Sequence, residues 1–433
     1  MLKAPRGTND ILPGAQFRWQ DSARWQALEE AIRRISLQYG YQELRPPVFE
    51  QTELFARGVG ESTDIVQKEM FTLMPRGGEG EEGSTLTLRP EFTAGMVRAY
   101  IENGLHNLPQ PVKVFTYGPA FRAERPQKGR FRQFHQWDVE VFGAQDPAVD
   151  AEVIEIGIAL ARRLGLEGLE VSLNSIGCPA CRPAYRERLR AHFRPYLSEL
   201  CPDCNRRIDQ NPLRLLDCKV DADHPAMRTA PTTVEHLCDE CRRHFEALQD
   251  HLRALGIPYR VDPKIVRGLD YYTKTVFEVL HPQLGAQSAL WGGGRYDGLV
   301  EHLGGKPTPG VGFAMGMERM LMVLDEMGIP LPPPPRQDLF FAVLGEAARR
   351  AALPVVYALR RQGLAVDLDY LGRSLKAQMK YAGRLGARFV AILGESELER
   401  GVVVLRDMDQ GQQREVPLTA EALAQALAEA MRP

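Results

Sequence analysis

The sequence predicts an α+β protein with a separate, small α/β domain near its C-terminal end. Three segments that mix β-branched and aromatic residues, at 111–124, 131–142 and 270–280, are typical of strands. A mainly helical, cysteine-bearing segment separates the second from the third and is interpreted as an insertion. Strand-like and helical patterns alternate after a short proline run, as in sheets built from βαβ units. The predicted parts are a core at 1–173 and 261–328, a helical insertion at 174–260, a proline-rich linker at 329–335 and an α/β domain at 336–433.

Length and composition limit the class of protein. The chain has 433 residues, which corresponds to about three domains at about 150 residues each. Its 44% hydrophobic and 25% charged residues are typical of a globular protein and exclude a mainly disordered one. Its net charge of −2 excludes a uniformly basic nucleic-acid coat. No apolar run approaches the roughly 18 residues of a membrane helix, and the prolines and glycines of 1–14 are unlike an export signal, so a cytoplasmic protein away from membranes is expected.

The predicted elements follow this plan along the chain. Residues 16–39 form an amphipathic helix, since Trp19, Leu28 and Ile35 recur near helical spacing before Gly40. The strands at 111–124 and 131–142 flank a polar turn and are predicted to pair as an antiparallel hairpin. The C-terminal domain is expected to hold a largely parallel sheet, with strands at 338–344, 364–370, 389–393 and 402–405 and helices at 346–362 and 374–385.

The hairpin carries the first candidate binding residues. Because strand residues alternate between faces, Gln136, Asp138 and Glu140 share one face of the second strand. Arg122 and Glu124 likewise share a face of the first strand. The turn between the strands adds further cations, Arg125, Lys128 and Arg130. Carboxylates and an amide beside cations suit a ligand with an amine and phosphates, whereas the alternative is a half-exposed sheet with a solvated polar face.

Three glycine-containing segments add further candidates. At 266–272, Arg267 stands beside Gly268, where a phosphate could approach, and paired tyrosines could offer hydroxyl groups; the alternative is an edge strand with aromatic packing. The segments at 292–298 and 310–319 match neither the P-loop nor the GxGxxG spacing, which excludes Walker and Rossmann sites. Glycines ahead of a helix would let strand and helix pack closely and leave Arg319 to stack on a base.

The cysteines suggest a metal site without defining it. An odd number confined to one segment is unlike a secreted disulfide scaffold. Cys178-x2-Cys181 and Cys201-x2-Cys204 have the spacing of a structural zinc site. The remaining cysteines leave the ligand set open, and reduced cysteines without metal are the equal alternative. The full set is Cys178, Cys181, Cys201, Cys204, Cys218, Cys238 and Cys241.

In combination, these segments resemble class II aminoacyl-tRNA synthetases. FRAERPQKGRFRQFHQ at 121–136 is similar to motif 2 of that class, 310–319 to motif 3, and PPVFE at 46–50 to motif 1, which forms the dimer interface. RGLDYY at 267–272 and GGGRYDG at 292–298 resemble signatures of the histidyl-tRNA synthetase family. The resemblance covers essentially the whole chain. It implies an α+β catalytic core with a mixed/antiparallel sheet, a mainly helical insertion and a small α/β C-terminal domain that binds the anticodon.

The resemblance also implies roles for individual residues. Arg122 would contact the α-phosphate of ATP, and Arg267 would lie on its other side, near the histidine carboxylate, in place of a catalytic metal. The implied ATP contacts are Arg122, Glu124 and Arg319. The implied histidine contacts are Glu91, Thr93 and Gln136 at the α-amino group, Glu140 and Tyr272 at the imidazole, and Arg267, Tyr271 and Tyr296 around them. Phe92 departs from the family pattern, in which glycine is usual at that position.

The implied function is activation of L-histidine with ATP to histidyl-adenylate, followed by transfer to the 3′ end of tRNA(His). The family works as a homodimer, uses Mg²⁺ with ATP and does not require this cysteine set, so a structural Zn²⁺ remains a hypothesis. One alternative is a regulatory subunit of the histidine-biosynthetic ATP phosphoribosyltransferase, but such paralogues generally lack the anticodon module. A class II synthetase for proline, threonine or glycine is the other, and RGLDYY argues against it.

Local charge differs from the average over the chain. Arg373, Lys376, Lys380 and Arg384 recur at spacings of three and four, which predicts one basic helix face in the C-terminal domain. Such a face could bind a folded tRNA although the net charge is −2.

Overall fold

The computed structural model describes residues 2–60, 63–74, 85–127, 129–283 and 289–431. The chain divides into two compact units, Met1–Pro332 and Pro333–Pro433, and the division falls inside the predicted proline-rich linker. Lys128, one of the predicted turn cations, lies outside the described residues. None of the helices in these ranges combines the length and the apolar character needed to span a bilayer.

Both units contain strands and helices. The strands are β1 Gln42–Glu43, β2 Phe49–Gln51, β3 Phe71–Leu73, β4 Leu86–Leu88, β5 Val112–Phe121, β6 Gln133–Phe142, β7 Glu170–Ser175, β8 Tyr259–Val261, β9 Thr273–Leu280, β10 Ala289–Arg295, β11 Gly310–Gly316, β12 Leu339–Val343, β13 Val366–Leu368, β14 Phe389–Leu393, β15 Val402–Asp407 and β16 Gln413–Pro417. The α-helices are α1 Ser22–Gln38, α2 Thr52–Val59, α3 Thr93–Glu102, α4 Pro147–Arg163, α5 Arg182–Phe193, α6 Pro202–Gln210, α7 Pro225–Arg228, α8 Asp239–Ala254, α9 Leu299–His302, α10 Met317–Glu326, α11 Glu346–Arg361, α12 Leu375–Arg384, α13 Glu395–Glu399 and α14 Ala420–Ala430.

An eight-stranded mixed sheet forms the centre of the first unit. Its order is β1-β5-β6-β11-β10-β9-β7-β8. The six strands from β5 to β7 in that order pair antiparallel, and the parallel pairs β1–β5 and β7–β8 lie at the two edges. Val112 lies opposite Phe142 and Phe121 opposite Gln133, which confirms the predicted hairpin. The predicted α+β core with a mixed/antiparallel sheet is therefore confirmed.

The main apolar core lies on one face of this sheet. Trp137, Val139 and Val141 of β6 are fully buried there with residues from α1, α4, α8 and α10. The predicted first helix begins later than expected, at Ser22, because Arg18–Gln20 form a 3-10 turn. Asp21 then caps α1 by accepting the backbone N–H of Ala23 at 3.0 Å.

The segment predicted as an insertion is mainly helical, as expected, but its last helix joins the main core. Phe245, Leu248 and Leu252 of α8 pack in the same cluster as α1 and α4. The other helices of this segment bury a second cluster, which includes Tyr185, Leu189 and Ile208. Whether 174–260 behaves as a separate domain remains a prediction.

The second unit is the small α/β domain. Its sheet has the order β13-β12-β14-β15-β16. β12 pairs in parallel with β13 and β14, whereas β14, β15 and β16 pair antiparallel, so the expected largely parallel sheet is wrong for half of the pairs. For β15 and β16 the reason is that they are joined by a short turn, which can connect only antiparallel neighbours.

The predicted basic face of this domain is one residue shorter than expected. Arg373 precedes α12, whose N-cap is Ser374, and it pairs instead with the Asp369 carboxylate at 2.7 Å. Lys376, Lys380 and Arg384 are exposed along the helix. The predicted inclusion of Arg373 in the helix is therefore wrong, and the face consists of the other three residues.

Candidate active site

Polar side chains occupy the face of the large sheet that lies opposite the main core. Gln136 pairs with Gly316 of β11, and Glu140 pairs with Gly312, so the predicted alternation of β6 is confirmed. Asp138 and Glu140 are each only 1% exposed. The alternative of a solvated polar face is therefore wrong at this end of the strand.

Glu140 is a buried carboxyl held by two hydroxyl groups. The Thr93 hydroxyl donates to Oε1 at 2.6 Å, and the Tyr296 hydroxyl donates to Oε2. Burial raises the pKa of Glu140 to about 8, although both hydrogen bonds act in the opposite direction. A Cβ at Gly312 would lie 1.8 Å from Oε2, so only glycine on β11 leaves room for this carboxyl group.

Glu91 and Thr93 are placed by the start of α3. The two carboxylate oxygens of Glu91 accept the backbone N–H groups of Thr93 and Ala94 at 2.8 and 2.9 Å. Burial raises the pKa of Glu91 as well. Phe92, the departure from the family pattern, is fully buried, and the Arg89 guanidinium lies 4.0 Å from its ring centroid. Phe92 thus acts as a packing residue while its neighbours keep their hydrogen bonds.

Three tyrosines surround the Glu140 carboxyl group. The Tyr271 ring lies 4.7 Å from that of Tyr272 and 5.7 Å from that of Tyr296, centroid to centroid. Tyr296 makes the hydrogen bond to Glu140, whereas Tyr272 lies beside Arg267, whose guanidinium is 5.8 Å from its ring centroid. The structure therefore gathers all three predicted tyrosines, and Tyr296 is hydrogen-bonded to Glu140.

Three oxygens on β6 are buried with no hydrogen-bond partner among the described residues. They are Oε1 of Gln136 and both carboxylate oxygens of Asp138. Burial raises the pKa of Asp138 well above its usual value, and the neighbouring Glu140 and Glu91 charges raise it further. Buried acceptors of this kind are rare unless a ligand or water satisfies them. Asp138 was not among the predicted contacts, although the alternation of β6 places it between Gln136 and Glu140.

Arg267 lies just before β9 and is fixed at both its side chain and its backbone. Its Nη1 lies 2.9 Å from the Glu278 carboxylate, and its carbonyl oxygen accepts from the Arg214 guanidinium at 3.0 Å. Its side chain remains 22% exposed. A Cβ at Gly292 would lie 2.6 Å from Nη1, so the glycine-rich strand β10 makes room for the guanidinium. Glu278 and Arg214 were not predicted, and no local sequence signal marks Arg214.

A cleft of about 360 Å³ opens beside this pocket. Arg122, Glu124 and Glu69 line it, together with Glu318 and Arg319. The Arg122 Nε donates to the carbonyl oxygen of Pro90 at 3.0 Å, and its guanidinium lies 5.2 Å from the Phe134 ring centroid. The predicted ATP contacts therefore share one cleft.

Glu318 is a further residue of this cleft that sequence reasoning did not single out. Its carboxylate accepts the backbone N–H of His135 at 2.9 Å and contacts the His135 Nδ1 at 2.8 Å. This contact ties the start of α10 to β6, so Arg319 is held next to the strand that carries Gln136.

Comparisons with known proteins agree over nearly the whole chain. Residues 8–320 match the family model described as Histidyl-tRNA synthetase, and residues 338–429 match the one described as Anticodon binding domain. A histidine–tRNA ligase from Symbiobacterium thermophilum is 66% identical over 96% of this chain and 97% of its own. A histidine–tRNA ligase from Desulforamulus reducens is 53% identical over 96% of each chain.

Solved structures show the same relationship. The apo histidyl-tRNA synthetase of S. aureus is 38% identical, with a TM-score of 0.81 over 99% of this chain and 100% of its own. A Bacillus halodurans chain described as an ATP phosphoribosyltransferase regulatory subunit/histidyl-tRNA synthetase is 22% identical, with a TM-score of 0.63 over 91% of this chain and 98% of its own. This second likeness concerns the fold alone and does not favour the regulatory-subunit alternative.

Proposed function

The chain belongs to the histidyl-tRNA synthetase family, and from that premise we propose how its residues carry out the reaction. Its activity is the ligation of L-histidine to tRNA(His). Histidine and ATP form histidyl-adenylate and diphosphate, and the tRNA then takes the histidyl group and releases AMP. The residue roles below are the proposal.

Glu140 selects histidine by binding the imidazole of the substrate. The buried carboxylate accepts an N–H of the substrate ring, while Thr93 and Tyr296 hold it in place. Tyr271 and Tyr272 close the pocket around the ring, and an apolar side chain would give the buried Glu140 no donor beyond the Thr93 and Tyr296 hydroxyls. Sites of this type discriminate by roughly 10⁴-fold or more without editing. This pocket is the observation that most supports histidine as the substrate.

The α-amino group is held by the acceptors nearer the cleft. Gln136 Oε1 and the Asp138 carboxylate are buried and otherwise unsatisfied, and a substrate ammonium would supply the missing donors. Glu91 adds negative charge nearby, and the Thr93 backbone N–H holds its carboxylate. We therefore add Asp138 to the histidine contacts.

Two arginines act on the reacting phosphorus. A histidine carboxylate oxygen attacks the α-phosphorus of ATP, and the bond from that phosphorus to the bridging oxygen breaks as diphosphate leaves. The carboxylate is already a nucleophile, so the step needs positioning and charge stabilisation rather than a general base. Arg122 binds the α-phosphate from the cleft, and Arg267 binds its other side and the histidine carboxylate.

The rest of the nucleotide occupies the cleft. Arg319 stacks on or pairs with ATP, and Glu124 binds the nucleotide beside Arg122. Carboxylate oxygens are the ligands that Mg²⁺ prefers, and Glu69 and Glu124 offer them in this cleft, so the residues fit the Mg²⁺ that accompanies ATP. When bound, that ion would neutralise charge on the phosphates and on the departing diphosphate.

The second step uses the C-terminal domain to bind the tRNA. The exposed cations Lys376, Lys380 and Arg384 contact its phosphates, while the 3′ hydroxyl attacks the carbonyl carbon of the adenylate in the core. The enzyme works in the cytoplasm as a homodimer. Val48 and Phe49 of the motif 1 segment are exposed and apolar, as an interface between two copies requires.

ATP–pyrophosphate exchange with each amino acid in turn tests this function. Histidine alone is expected to support exchange, because only its ring satisfies Glu140. Exchange with proline, threonine or glycine would support another class II synthetase. Absence of exchange with every amino acid would support the regulatory-subunit alternative.

A further inference from the structure

All seven cysteines fall into two groups that the fold brings together. Cys178, Cys181, Cys238 and Cys241 form the first, which we call the four-cysteine site. Cys201, Cys204, Cys218 and Asp221 form the second, which we call the three-cysteine site. Within each group the ligand atoms lie within 4.8 Å of one another, and every cysteine is a free thiol. The ligand set that the sequence left open is resolved into these groups, in which Cys178 and Cys181 lie with Cys238 and Cys241 rather than with Cys201 and Cys204.

The sulfur spacings match a tetrahedral ion. Zn–S bonds of about 2.3 Å place the sulfurs of a tetrahedral site about 3.8 Å apart. In the four-cysteine site the Sγ of Cys178 lies 3.5 Å from that of Cys181 and 3.9 Å from that of Cys238, and Cys181 lies 3.6 Å from Cys241. In the three-cysteine site Cys201 and Cys218 are 3.7 Å apart. Disulfide sulfurs would be about 2 Å apart.

Backbone N–H groups already point at these ligands. Cys238 N–H donates to the Cys181 Sγ at 3.3 Å, and Asp221 N–H donates to the Cys218 Sγ at 3.4 Å. Cys201 N–H donates to the Asp221 carboxylate at 3.0 Å. Donors of this kind orient ligands and stabilise their negative charge in metal sites.

We propose that each group binds one Zn²⁺ and that the two ions brace the histidine and adenylate pocket from the helical segment. Thiolate-rich tetrahedral sets favour zinc among the common divalent ions. Every position around the ion is filled by a protein ligand in both groups, so the sites are structural rather than catalytic. The metal sites themselves do not depend on the catalytic roles above, whereas the bracing rests on the proposed roles of Tyr272 and Arg267.

The residues that flank the four-cysteine site are hydrogen-bonded to Tyr272 and to β9. The carbonyl oxygen of Gly177, directly before Cys178, accepts the Lys274 N–H at 2.9 Å. The Arg182 guanidinium, directly after Cys181, donates to the Tyr272 carbonyl oxygen. A metal that fixes the Cys178–Cys181 turn therefore also fixes Gly177 and Arg182, whose hydrogen bonds hold Lys274 and Tyr272 at the start of β9.

The three-cysteine site is connected to Arg267 through Arg214. Arg214 lies four residues before Cys218, contacts Asp217 at 3.5 Å and donates to the Arg267 carbonyl oxygen at 3.0 Å. A metal that fixes Cys218 therefore holds the arginine that positions Arg267.

Metal analysis of the full-length enzyme tests the two sites separately. After reduction, chelation and refilling with Zn²⁺ alone, the wild type should hold one zinc in each group. Cys241→Ser and Cys204→Ser should each lose one ion and keep the other. Asp221→Asn should lose the ion of the three-cysteine site, while Asp203→Asn, the same change at an exposed acid between Cys201 and Cys204, should lose none.

Cobalt replacement gives a second signature that does not depend on activity. The wild type and Asp203→Asn should show thiolate-to-cobalt absorption from both sites, and Asp221→Asn should lose the part due to the three-cysteine site. A wild type that holds no zinc after refilling, or whose mass shows disulfides, would overturn the proposal even if it charges tRNA. Normal metal content with no adenylation would instead overturn the catalytic roles.

The bracing has its own readout. Loss of the four-cysteine ion should raise the KM for histidine through Tyr272, and loss of the three-cysteine ion should lower the adenylation rate at saturating histidine through Arg267. Unchanged kinetics in a folded variant that has lost its zinc would overturn the bracing and leave the metal sites standing.

Discussion

The two ends of the candidate active site are built in different ways. At the histidine end, Asp138 and Glu140 project from the middle of a central strand and are each 1% exposed. At the ATP end, Arg122, Glu124 and Arg319 lie at strand ends and on a helix around an open cleft. A buried carboxyl is expensive unless it is satisfied, which is why the selective role is proposed for the first end. Partly exposed arginines can follow a charge that develops during reaction, which is why the catalytic role is proposed for the second end.

Removal of Arg267, which is proposed to bind the α-phosphate opposite Arg122, should have the largest effect and would break the catalytic end. Arg267→Ala should lower adenylate formation by a hundredfold or more, because a lost donor at a developing charge costs about 3–4 kcal/mol. Pyrophosphate exchange measures the loss, and circular dichroism checks the fold. In the single variant Glu278 loses its ion-pair partner, so the double variant Arg267→Ala/Glu278→Gln, which also neutralises Glu278, serves as a control. Near-normal exchange in Arg267→Ala would remove this residue from the mechanism.

Neutralising Glu140 should break the selective end. Glu140→Gln keeps the shape but removes the charged acceptor, and hydrogen bonds to charged groups contribute about 1.5–3 kcal/mol. The kcat/KM for histidine should fall by roughly 10–150-fold, and the KM for ATP should change little. Glu124→Gln, the matched change at the other end, should instead raise the KM for ATP. If Glu140→Gln instead raised the KM for ATP and Glu124→Gln lowered the kcat/KM for histidine, the two ends would have the opposite roles.

The pH dependence of histidine binding sharpens the comparison further. Because the pKa of Glu140 is raised to about 8, the free enzyme carries a mostly protonated carboxyl at pH 7, which ionises as the pH rises through that value. If the carboxylate form binds the imidazole N–H, histidine affinity should rise roughly fivefold between pH 7 and pH 8. Equilibrium dialysis of histidine measures this. The same rise in Glu140→Gln would mean that another group titrates.

Changes to the basic face of the C-terminal domain should have the smallest effect and leave both ends intact. Lys376→Ala/Lys380→Ala should weaken tRNA charging and lower the slope of log kcat/KM for tRNA against log salt by about 1–2. Exchange should stay normal, since it needs no tRNA. Arg350→Ala removes an exposed cation that pairs with Glu346 on α11 and serves as the control. A salt slope equal to that of the control would place tRNA binding elsewhere.

The predictability of these regions from sequence follows the range of the interactions involved. The hairpin and the alternation of Gln136, Asp138 and Glu140 depend on neighbours a few residues apart, so a pattern captures them. The glycines of β10 have low strand propensity, and their role emerges only when Arg267 packs against Gly292. The pairing of Cys181 with Cys241 and the contact of Arg214 with Arg267 join distant parts of the chain. No local spacing encodes such contacts.

The family resemblance predicted roles for individual residues that the residue pattern alone does not predict. It assigned Tyr296 and Thr93 to the histidine pocket together with Glu140, and the structure brings both hydroxyl groups onto the Glu140 carboxyl. It also assigned the imidazole to Glu140 and Tyr272 together, which stays a prediction, and it gave no sign of the hydrogen bond between Tyr296 and Glu140.

Single-turnover formation of histidyl-adenylate at increasing histidine tests the division of labour most directly. Glu140→Gln should reach nearly the wild-type rate at saturating histidine but require far more of it. Arg267→Ala should saturate at a similar histidine concentration but at a rate a hundredfold or more below wild type (on the order of the loss of one donor). If both variants lost the same property, selection and catalysis would not be separated between the two ends of the site.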